Sequence, residues 1–523
     1  MTKTTKTLPD DPEELKRIIL ENERRYEKEN ELLREQIRLL QAQMFGKKSE
    51  KGLADSGAVQ IPLFDMPEPE VEKEEEEVEV PSHQRKKPGR KKLPEALPRI
   101  EIVHDIDEAE KVCGCGETLD RIGEDISEKL DIIPAVIQVI KHIRPKYACK
   151  HCEGLETEGP VVKIAPAPKQ IIPKSIVTAG LLAYILTAKF CDALPFYRQE
   201  RQFDRIGAEI SRANMCNWAM KAATACQPVL SLLHQEIRSG PLINIDETTV
   251  QVLHEPGRAA STKSYMWVCR GGAPGNPGLM FHYAPSRSSD VAKALLKGYN
   301  GVVQSDGYSG YDFLDHQPEI HHGGCLAHAR RKFTDAQKAR GKNKKPGSID
   351  VALSYIRKIY AVESEAKRKG IFGDQLLNLR KEKTKPVLDV FFKWLSKKSL
   401  QVVPKSLLGK AVNYTLGQWS RLLVYLDHPD MTPDNNLAEN AIRPFVIGRK
   451  NWLFAGTPDG AKASADLYSL IETAKANRLE PYKYLRYLFE KVPFAESERD
   501  FKALLPMNLV PEQLVLSDIP TGV

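Results

Sequence analysis

The stretch Pro433–Phe454, PDNNLAENAIRPFVIGRKNWLF, places a carboxylate, Glu439, among asparagines and ahead of three cations. One ordinary interpretation is a surface helix in which Glu439 pairs with Arg443 at i,i+4. A different interpretation follows if acids from elsewhere in the chain share a site with Glu439. Carboxylates that converge from distant segments are suited to holding metal ions, so the other acids decide between the two interpretations.

Two aspartates occupy strand positions from which a side chain can reach such a site. Asp246 follows the apolar run Leu242–Ile245, and Asp306 stands just past the apolar start of the segment Gly301–Leu314. Aspartate is disfavoured in strands, so its presence there calls for a reason, although Asp306 also fits a turn in SDGYSG. Three carboxylates suit two Mg²⁺ ions, which together can activate an attacking oxygen and stabilise a leaving one.

The segments around the aspartates predict a mixed α/β sheet. Segments rich in β-branched or aromatic residues predict strands at Pro241–His254, Ser264–Arg270 and Gly278–Ala284, with turn signals between them. A helical segment, SSDVAKALLKGY, separates these from a fourth strand that begins at Gly301. Three strands, a helix and a fourth strand are typical of a mixed sheet.

Glu439 is expected on a short helix. Thr432 can cap this helix and Pro433 suits its first turn, whereas Pro444 disfavours its continuation. Asn435, Glu439 and Arg443 are spaced by four residues, so they share one helical face. That face offers an amide, a carboxylate and a cation to one pocket.

The long interval between Asp306 and Glu439 predicts a helical insertion, because Ser348–His428 shows mainly helical periodicity. Just before it, the basic segment HARRKF is expected to contact phosphates, or else to be a solvated helix start. Cys325 and His328 have C-x2-H spacing without a second ligand pair, so zinc is not expected there. The predicted DNA contacts of the core are His328, Arg330, Arg331, Lys332, Asn435, Arg443, Arg449 and Lys450.

The N-terminal region predicts a coiled coil followed by a charged linker. Residues 12–45 form one helical pattern in which Ile19, Tyr26, Leu33 and Leu40 recur every seven residues. This seam favours oligomerisation, the alternative being a helix that packs on its own protein. Acidic and basic blocks follow, and the basic one is either a solvated linker or an arm for phosphates and the minor groove. Its cations are Arg85, Lys86, Lys87, Arg90, Lys91 and Lys92.

Two cysteine pairs predict a structural zinc site. The second pair has the C-x2-C spacing of a zinc knuckle and the first, C-x-C, is one residue shorter. Four unrelated thiols are the alternative. The four predicted ligands are Cys113, Cys115, Cys149 and Cys152. After this segment, Gly207–Ala223 fits a turn and helix, as in a helix-turn-helix, or ordinary helical packing.

Composition limits the partners and the compartment. The chain carries a net charge of +7, which is a mild indication of a polyanionic partner. Hydrophobic residues make up 41% of the chain and charged residues 28%. The N-terminus lacks an apolar signal region, and the longest apolar stretch, Ser175–Phe190, is too short to span a bilayer. Nine cysteines are an odd number for a disulfide scaffold. A cytoplasmic protein without membrane contact is expected.

The motifs together resemble a bacterial DDE transposase of the insertion sequence 66 family. The resemblance covers nearly the whole chain and rests on IDETTVQVL, SDGYSGY, GCLAHARRKF and above all DNNLAENAIRPFVIGRKNWLF. It implies an RNase H-like core that depends on Mg²⁺ (or Mn²⁺) and cleaves and joins DNA strands. On this pattern the catalytic, metal-binding acids are Asp246, Asp306 and Glu439.

The expected protein is therefore a multidomain α/β transposase that binds the terminal repeats and target DNA as a homo-oligomer, with helper proteins of the same element as possible partners. An RNase H-like nuclease without strand transfer and an inactive DNA-binding derivative are the alternatives. The expected divisions are a coiled-coil helix (1–47), a charged linker with the basic arm (48–100), a zinc-binding domain (101–165), a helical DNA-binding region (166–239), the RNase H-like core (240–475) with its helical insertion at about 340–430, and a C-terminal segment (476–523).

Overall fold

A computed structural model of the 523-residue chain describes residues 11–45, 137–148, 162–340 and 346–514. The four predicted zinc ligands and the basic arm lie outside these residues. The chain divides into two compact units, and the larger one, residues 1–58 and 143–523, contains all the helices and strands of the described part. No helix in the described ranges is long and apolar enough to cross a membrane.

The centre of the larger unit is a five-stranded mixed sheet in the order β5-β4-β3-β6-β7. Strands β3 to β5 are antiparallel, whereas β6 and β7 run parallel to β3. The strands are β3 (Leu242–Gln251), β4 (Lys263–Gly271), β5 (Gly278–Ala284), β6 (Gly301–Gln304) and β7 (Ile320–Gly323), and a separate antiparallel pair consists of β1 (Lys146–Ala148) and β2 (Val162–Ile164).

Four of the five strands lie where the sequence predicts them, and β7 was missed. Its four residues, IHHG, include two histidines and a glycine, a composition with low strand propensity. The strand forms because its backbone pairs with β6 while His322 and Gly323 are buried. Tertiary pairing thus overrides a weak local preference.

Helices surround the sheet and follow the chain in order. They are α1 (Pro12–Phe45), α2 (Ala179–Phe190), α3 (Phe196–Arg205), α4 (Arg212–Ala225), α5 (Gln227–Ser239), α6 (Ser289–Leu295), α7 (Leu326–Arg340), α8 (Ser348–Lys369), α9 (Gly373–Leu379), α10 (Lys385–Ser399), α11 (Leu407–Gly417), α12 (Trp419–Leu423), α13 (Asn436–Trp452), α14 (Pro458–Ala476), α15 (Pro481–Lys491) and α16 (Glu498–Ala503). Helices α8 to α12 lie in the segment predicted to be a helical insertion.

Helix α14 protects the outer edge of the sheet. Ser469 Oγ accepts a hydrogen bond from the backbone N–H of Phe281 at 2.8 Å, and Thr473 Oγ1 accepts one from Leu279 at 2.9 Å. Both hydroxyls are buried, so the N–H groups of Leu279 and Phe281 on the edge strand β5 are satisfied away from water. Helix α14 therefore supplies hydrogen-bond acceptors that a neighbouring strand would otherwise supply at this edge.

Two hydrophobic cores support the two parts of the unit. The larger core joins the sheet to α2–α5 and to the C-terminal helices α13–α15. The smaller core lies among α7, α8, α10 and α11, and it includes Leu242 of β3 and Val302 of β6. The insertion thus packs directly on β3, which contains Asp246, and on β6, which ends two residues before Asp306.

Helix α13 differs from the short helix predicted around Glu439. It begins at Asn436 with Asn435 as N-cap, not at Pro433, and it continues through Pro444 to Trp452. Pro444 removes one intrahelical bond to the carbonyl of Asn440, which lies on the exposed face. Burial of Ala441, Ile442 and Phe445 on the opposite face outweighs that loss.

The predicted N-terminal helix is present, and its heptad seam is exposed. One face of α1 packs on α7, and Glu35 accepts a hydrogen bond from the backbone N–H of Leu407 at 3.1 Å. The residues of the seam lie on another face and are each more than half exposed: Ile19, Tyr26, Leu33, Ile37, Leu40 and Met44. Packing on its own chain therefore leaves the seam available.

Candidate active site

Three buried amides connect the segments that carry the candidate acids. Asn244 Nδ2 donates to Gln304 Oε1 at 2.8 Å and to Asn435 Oδ1 at 3.1 Å. Asn435 Nδ2 in turn donates to the carbonyl of Ile245 at 2.9 Å. All three side chains are essentially inaccessible to solvent. We call Asn244, Gln304 and Asn435 the amide triad.

Each member of the amide triad precedes one acid by a short, fixed interval. Asn244 and Gln304 are opposite each other in parallel strands, two residues before Asp246 and Asp306. Because side chains two apart on a strand share a face, Asp246 lies on the same face as Asn244. Asn435 is one helical turn before Glu439, so the triad brings the three acids towards a common point.

The pKa of Asp246 is raised by its burial and by the negative charges of nearby acids. Burial and the negative charges of Glu247 and Asp306 raise its pKa well above the usual range, and Glu439 contributes in the same direction. Asp246 Oδ1 accepts from the backbone N–H of Glu247 at 2.9 Å, and Asp306 Oδ1 accepts from that of Tyr308, also at 2.9 Å. The backbone thus orients both aspartates while their repulsion remains.

Glu439 contacts α7, not Arg443. Its Oε2 lies 3.4 Å from Arg331 Nη2 and its Oε1 lies 3.7 Å from His328 Nδ1. Within the described part of the chain, Glu439 forms no ion pair with Arg443, which is exposed. The ordinary i,i+4 surface pair is therefore not formed in this structure.

The residues around Glu439 offer a mixed set of ligand atoms. Glu439 Oε1 and His328 Nδ1 are both buried without a hydrogen-bond partner. Ligand atoms of Cys325, His328 and Glu439 lie within 4.8 Å of one another. Burial raises the pKa of the Cys325 thiol to about 12, and its Sγ accepts the N–H of Asn435 at 3.2 Å, so Cys325 is a weak ligand. The sequence had paired only Cys325 with His328.

The predicted DNA contacts of the core divide into exposed and buried groups. Arg330, Lys332, Arg443 and Lys450 are exposed, and Arg331 is partly so. Arg449 is half-buried and donates to the hydroxyls of Thr248 and Thr249 at 3.1 and 3.2 Å. Asn435 is 1% exposed and its amide is committed to the triad, so it lies away from the exposed cations among the predicted contacts.

Glu247 is an acid of the site that sequence reasoning missed. Its carboxylate accepts hydrogen bonds from Arg287 and from the hydroxyl of Tyr311. The guanidinium of Arg287 also stacks on Tyr308, 3.6 Å from the ring centre. Glu247 therefore fixes the loops after β5 and β6 around the aspartates. The pair of adjacent acids in IDET was the available signal.

A second buried network ends at Asp306. Ser305 Oγ lies 2.8 Å from His322 Nε2 and donates to the carbonyl of Asp306 at 3.0 Å. His322 Nδ1 lies 2.7 Å from Asp315 Oδ1, and Arg421 of α12 donates to the same oxygen at 3.1 Å. Ser305 is fully buried, so these residues position the Asp306 turn and do not form a nucleophilic triad.

The site fits divalent cations bound through oxygen. Asp246, Asp306 and Glu439 supply carboxylates from three segments, and Glu439 Oε1 is an orphaned buried acceptor. The repulsion that raises the pKa of Asp246 would be relieved by a cation among the three acids. Oxygen donors of this number are what Mg²⁺ and Mn²⁺ accept.

The sheet and the converging acids define an α/β protein with a carboxylate site suited to divalent metal. Comparison with known families specifies it further: residues 174–463 match the Transposase IS66 family. The chain belongs to this family, and the resemblance found in the sequence is confirmed. Membership implies transposase activity with DNA binding.

Three further regions match accessory elements of the same group of proteins. Residues 110–153, which contain the four cysteines, match the zinc-finger binding domain of transposase IS66. Residues 32–102 match the Transposase C of IS166 homeodomain, and residues 469–507 match the IS66 C-terminal element. These matches suggest zinc in addition to the divalent metal that the family implies.

Curated relatives of similar length carry no functional description in their names. The uncharacterized protein y4jD of Sinorhizobium fredii (strain NBRC 101917 / NGR234) is 32% identical over 81% of this chain and 82% of its own length. The uncharacterized protein y4qI of the same strain is 31% identical over 81% of this chain and 78% of its own length.

Proposed function

We propose that the protein binds the terminal inverted repeats of an insertion sequence and catalyses metal-dependent DNA cleavage followed by strand transfer. The observation that carries this proposal is the convergence of Asp246, Asp306 and Glu439. The hydrogen bonds of the amide triad link the three segments that carry these acids. Membership of a transposase family selects DNA as the substrate. An RNase H-like core is part of the proposal, supported by a mixed sheet whose neighbouring parallel strands lead to two of the acids.

Each group in the site has a distinct task in this proposal. Asp246, Asp306 and Glu439 would hold two divalent ions, which would supply Lewis acidity to an in-line displacement. The amide triad holds the segments that carry the three carboxylates in place. Arg331 and His328 orient Glu439 from α7. Phosphates of the substrate lie against the exposed cations of α7 and α13.

Helices α3 and α4 are a candidate DNA-binding element within the predicted helical region. They are joined by a turn in which Gly207 has φ of 80°, a value that favours glycine. Helix α4 contains Arg212 and Lys221, both exposed, and no acid. Its other face, with Met215 and Trp218, is buried, so the cations can approach DNA without disturbing the core.

The exposed seam of α1 supports association with a second copy of the chain. Six apolar residues at heptad spacing lie in solvent, and Asn30 stands at an a-type position that can fix register. A dimer would bring two DNA ends together, as joining requires. The proposal also includes the basic arm at 85–92, one zinc ion held by Cys113, Cys115, Cys149 and Cys152, and helper proteins of the same element as partners.

The proposal is tested by incubating the full chain with labelled terminal-repeat DNA and Mg²⁺ or Mn²⁺ and separating nicked and joined products. Both products are expected from wild type and neither from Asp246→Asn. Nicking without joining at any metal concentration would favour an RNase H-like nuclease. Binding without either product would favour an inactive DNA-binding derivative.

A further inference from the structure

Two large apolar side chains protrude from the end of α13. Leu453 is 63% exposed and Phe454 is 44% exposed, directly after the helix that carries Glu439. Adjacent apolar residues held in water lose the stabilisation that burial would provide. A surface of this kind is expected where a partner covers it.

The backbone at Leu453 is strained and held on both sides. Leu453 has φ of 66° and ψ of −51°, and Phe454 N–H donates to the carbonyl of Trp452 at 2.8 Å, which defines a γ-turn of the rare, strained kind. On one side Trp452 packs on Phe445 with ring centres 5.4 Å apart. On the other, Ala455 N–H donates to the carbonyl of Gln251 of β3 at 2.9 Å. The turn is thus fixed by its surroundings and presents both side chains rigidly.

The charge near this turn indicates a polyanionic partner. Helix α13 carries Arg443, Arg449 and Lys450, and its one acid is Glu439 in the first turn. Arg443 and Lys450 are exposed at seven-residue spacing, so they form a positive stripe that begins beside the active site and ends at Leu453. At a rise of 1.5 Å per residue, Leu453 lies about 21 Å along the helix axis from Glu439.

We propose that Leu453 and Phe454 form an apolar wedge that enters the DNA duplex and unstacks one base step, while Arg443 and Lys450 contact the adjoining phosphates. This inference rests on the proposed function, because the duplex is the one that the acids cleave. Leucine and phenylalanine are typical wedge residues in proteins that kink DNA. With α13 aligned along the duplex axis, as this proposal requires, a rise of 3.4 Å per base pair places the wedge about six base pairs from the scissile phosphate.

The test places 2-aminopurine, whose fluorescence rises on unstacking, at each position from one to ten base pairs from the cleavage point. The full chain is bound to this terminal-repeat duplex in Ca²⁺, and cleavage is measured separately in Mg²⁺. Wild type should raise the fluorescence at one step near the sixth position. Leu453→Gly with Phe454→Ala should abolish the rise and weaken binding about tenfold, equivalent to ~1.4 kcal/mol.

The variants separate a wedge from a general loss of structure. Glycine adopts positive φ without the strain that leucine bears, so Leu453→Gly should melt at or above the wild-type temperature. The matched control is Phe372→Ala with Leu400→Ala, two residues of the insertion that are 80% and 89% exposed; this control should keep the fluorescence rise.

Three outcomes would overturn the inference. A wild-type protein that cleaves the duplex without a fluorescence rise at any position has no wedge, although the proposed function stands. A wild type that neither binds nor cleaves removes the proposed function and the wedge with it. A wedge variant that unstacks normally but loses mass in light scattering would identify the pair as a contact between copies of the chain.

Discussion

Asn244 donates its side-chain N–H to Gln304 Oε1 at 2.8 Å across the two parallel strands that lead to Asp246 and Asp306. The bond links two residues that are both inaccessible to solvent. The same Nδ2 also donates to Asn435 Oδ1 at 3.1 Å. The candidate catalytic acids are therefore positioned by buried amides, and a polar group left unpaired in such a network costs more than the bond itself contributes.

Removing Asn435 should disturb the site through this network. Asn435→Ala leaves Asn244 Nδ2 with one acceptor fewer and the carbonyl of Ile245 without its side-chain donor. We expect a loss of about 1–3 kcal/mol in the free energy of unfolding. Cleavage should also be slower, because the start of the helix that carries Glu439 is no longer held in position. Urea denaturation and product gels measure the two effects. Asn440→Ala, an exposed residue of the same helix, is the control and should change neither; equal effects of both variants would contradict this role.

Periodicity and residue type predicted four of the strands and the helical character of the insertion, and they singled out the three acids as candidates. These features depend on local patterns that a single sequence displays, such as the apolar run before Asp246. The predicted length of α13 was too short, because burial of Phe445 outweighs the local effect of Pro444. Local rules about proline do not include the tertiary packing of the opposite helix face.

The supporting network could not be predicted because its members are distant in the chain. Asn435 contacts residues about 190 positions away, and His328 reaches Glu439 from another helix. Amides and histidines have no strand or helix period that reveals partners. Only the shared two-residue offset of Asn244 and Gln304 from the aspartates is visible in the sequence, and its meaning depends on knowing that β3 and β6 are neighbours.

His234 of α5 should make stability depend on pH. Burial, followed by the charge of Arg238, lowers its pKa from 6.5 to about 4. Between these values the unfolded chain binds a proton that the folded chain does not, so stability falls as pH decreases from 6.5 to 4. The loss is at most roughly 3 kcal/mol.

Urea denaturation of His234→Gln across this range should give a shallower decrease than wild type. His254→Gln provides the control, since His254 is exposed on the β3–β4 connection. Identical pH slopes for wild type and His234→Gln would assign the acid sensitivity to other groups.

The exposed seam of α1 should determine the oligomeric state. Leu33→Glu with Leu40→Glu places charges on the seam, where both leucines are more than half exposed. Light scattering should then report a smaller particle, because like charges would face each other across the interface. The melting temperature of the core should be unchanged, since α1 packs on α7 through another face. The control, Arg24→Glu with Lys28→Glu, changes the charges of exposed residues outside the seam. A mass insensitive to the seam variant would remove the coiled coil.

Arg421 should couple the helical insertion to Asp306. Its guanidinium binds Asp315 and Asp312, and Asp315 in turn orients His322 against Ser305. Arg421→Gln should lower cleavage while DNA affinity is kept, because the turn that holds Asp306 loses its anchor and no phosphate contact is removed. Arg421→Lys should restore activity only in part, since lysine cannot form the bidentate contact. Wild-type cleavage by Arg421→Gln at unchanged metal concentration would contradict this coupling.

Glu439→Gln is the sharpest test of the active site. Glutamine keeps the size of the side chain but removes the anionic oxygen that holds a divalent ion, so cleavage should fall by several orders of magnitude. Folding and DNA binding should survive, because binding depends on cations that contact phosphates.

Asp246→Asn and Asp306→Asn should behave alike, and double variants should be scarcely worse than single ones because the three acids act as a unit. Glu490→Gln, which removes an acid paired with Arg486 on α15, is the matched control and should cleave normally. Wild-type nicking by Glu439→Gln would return Glu439 to a structural role, as the partner of Arg331 and His328 alone.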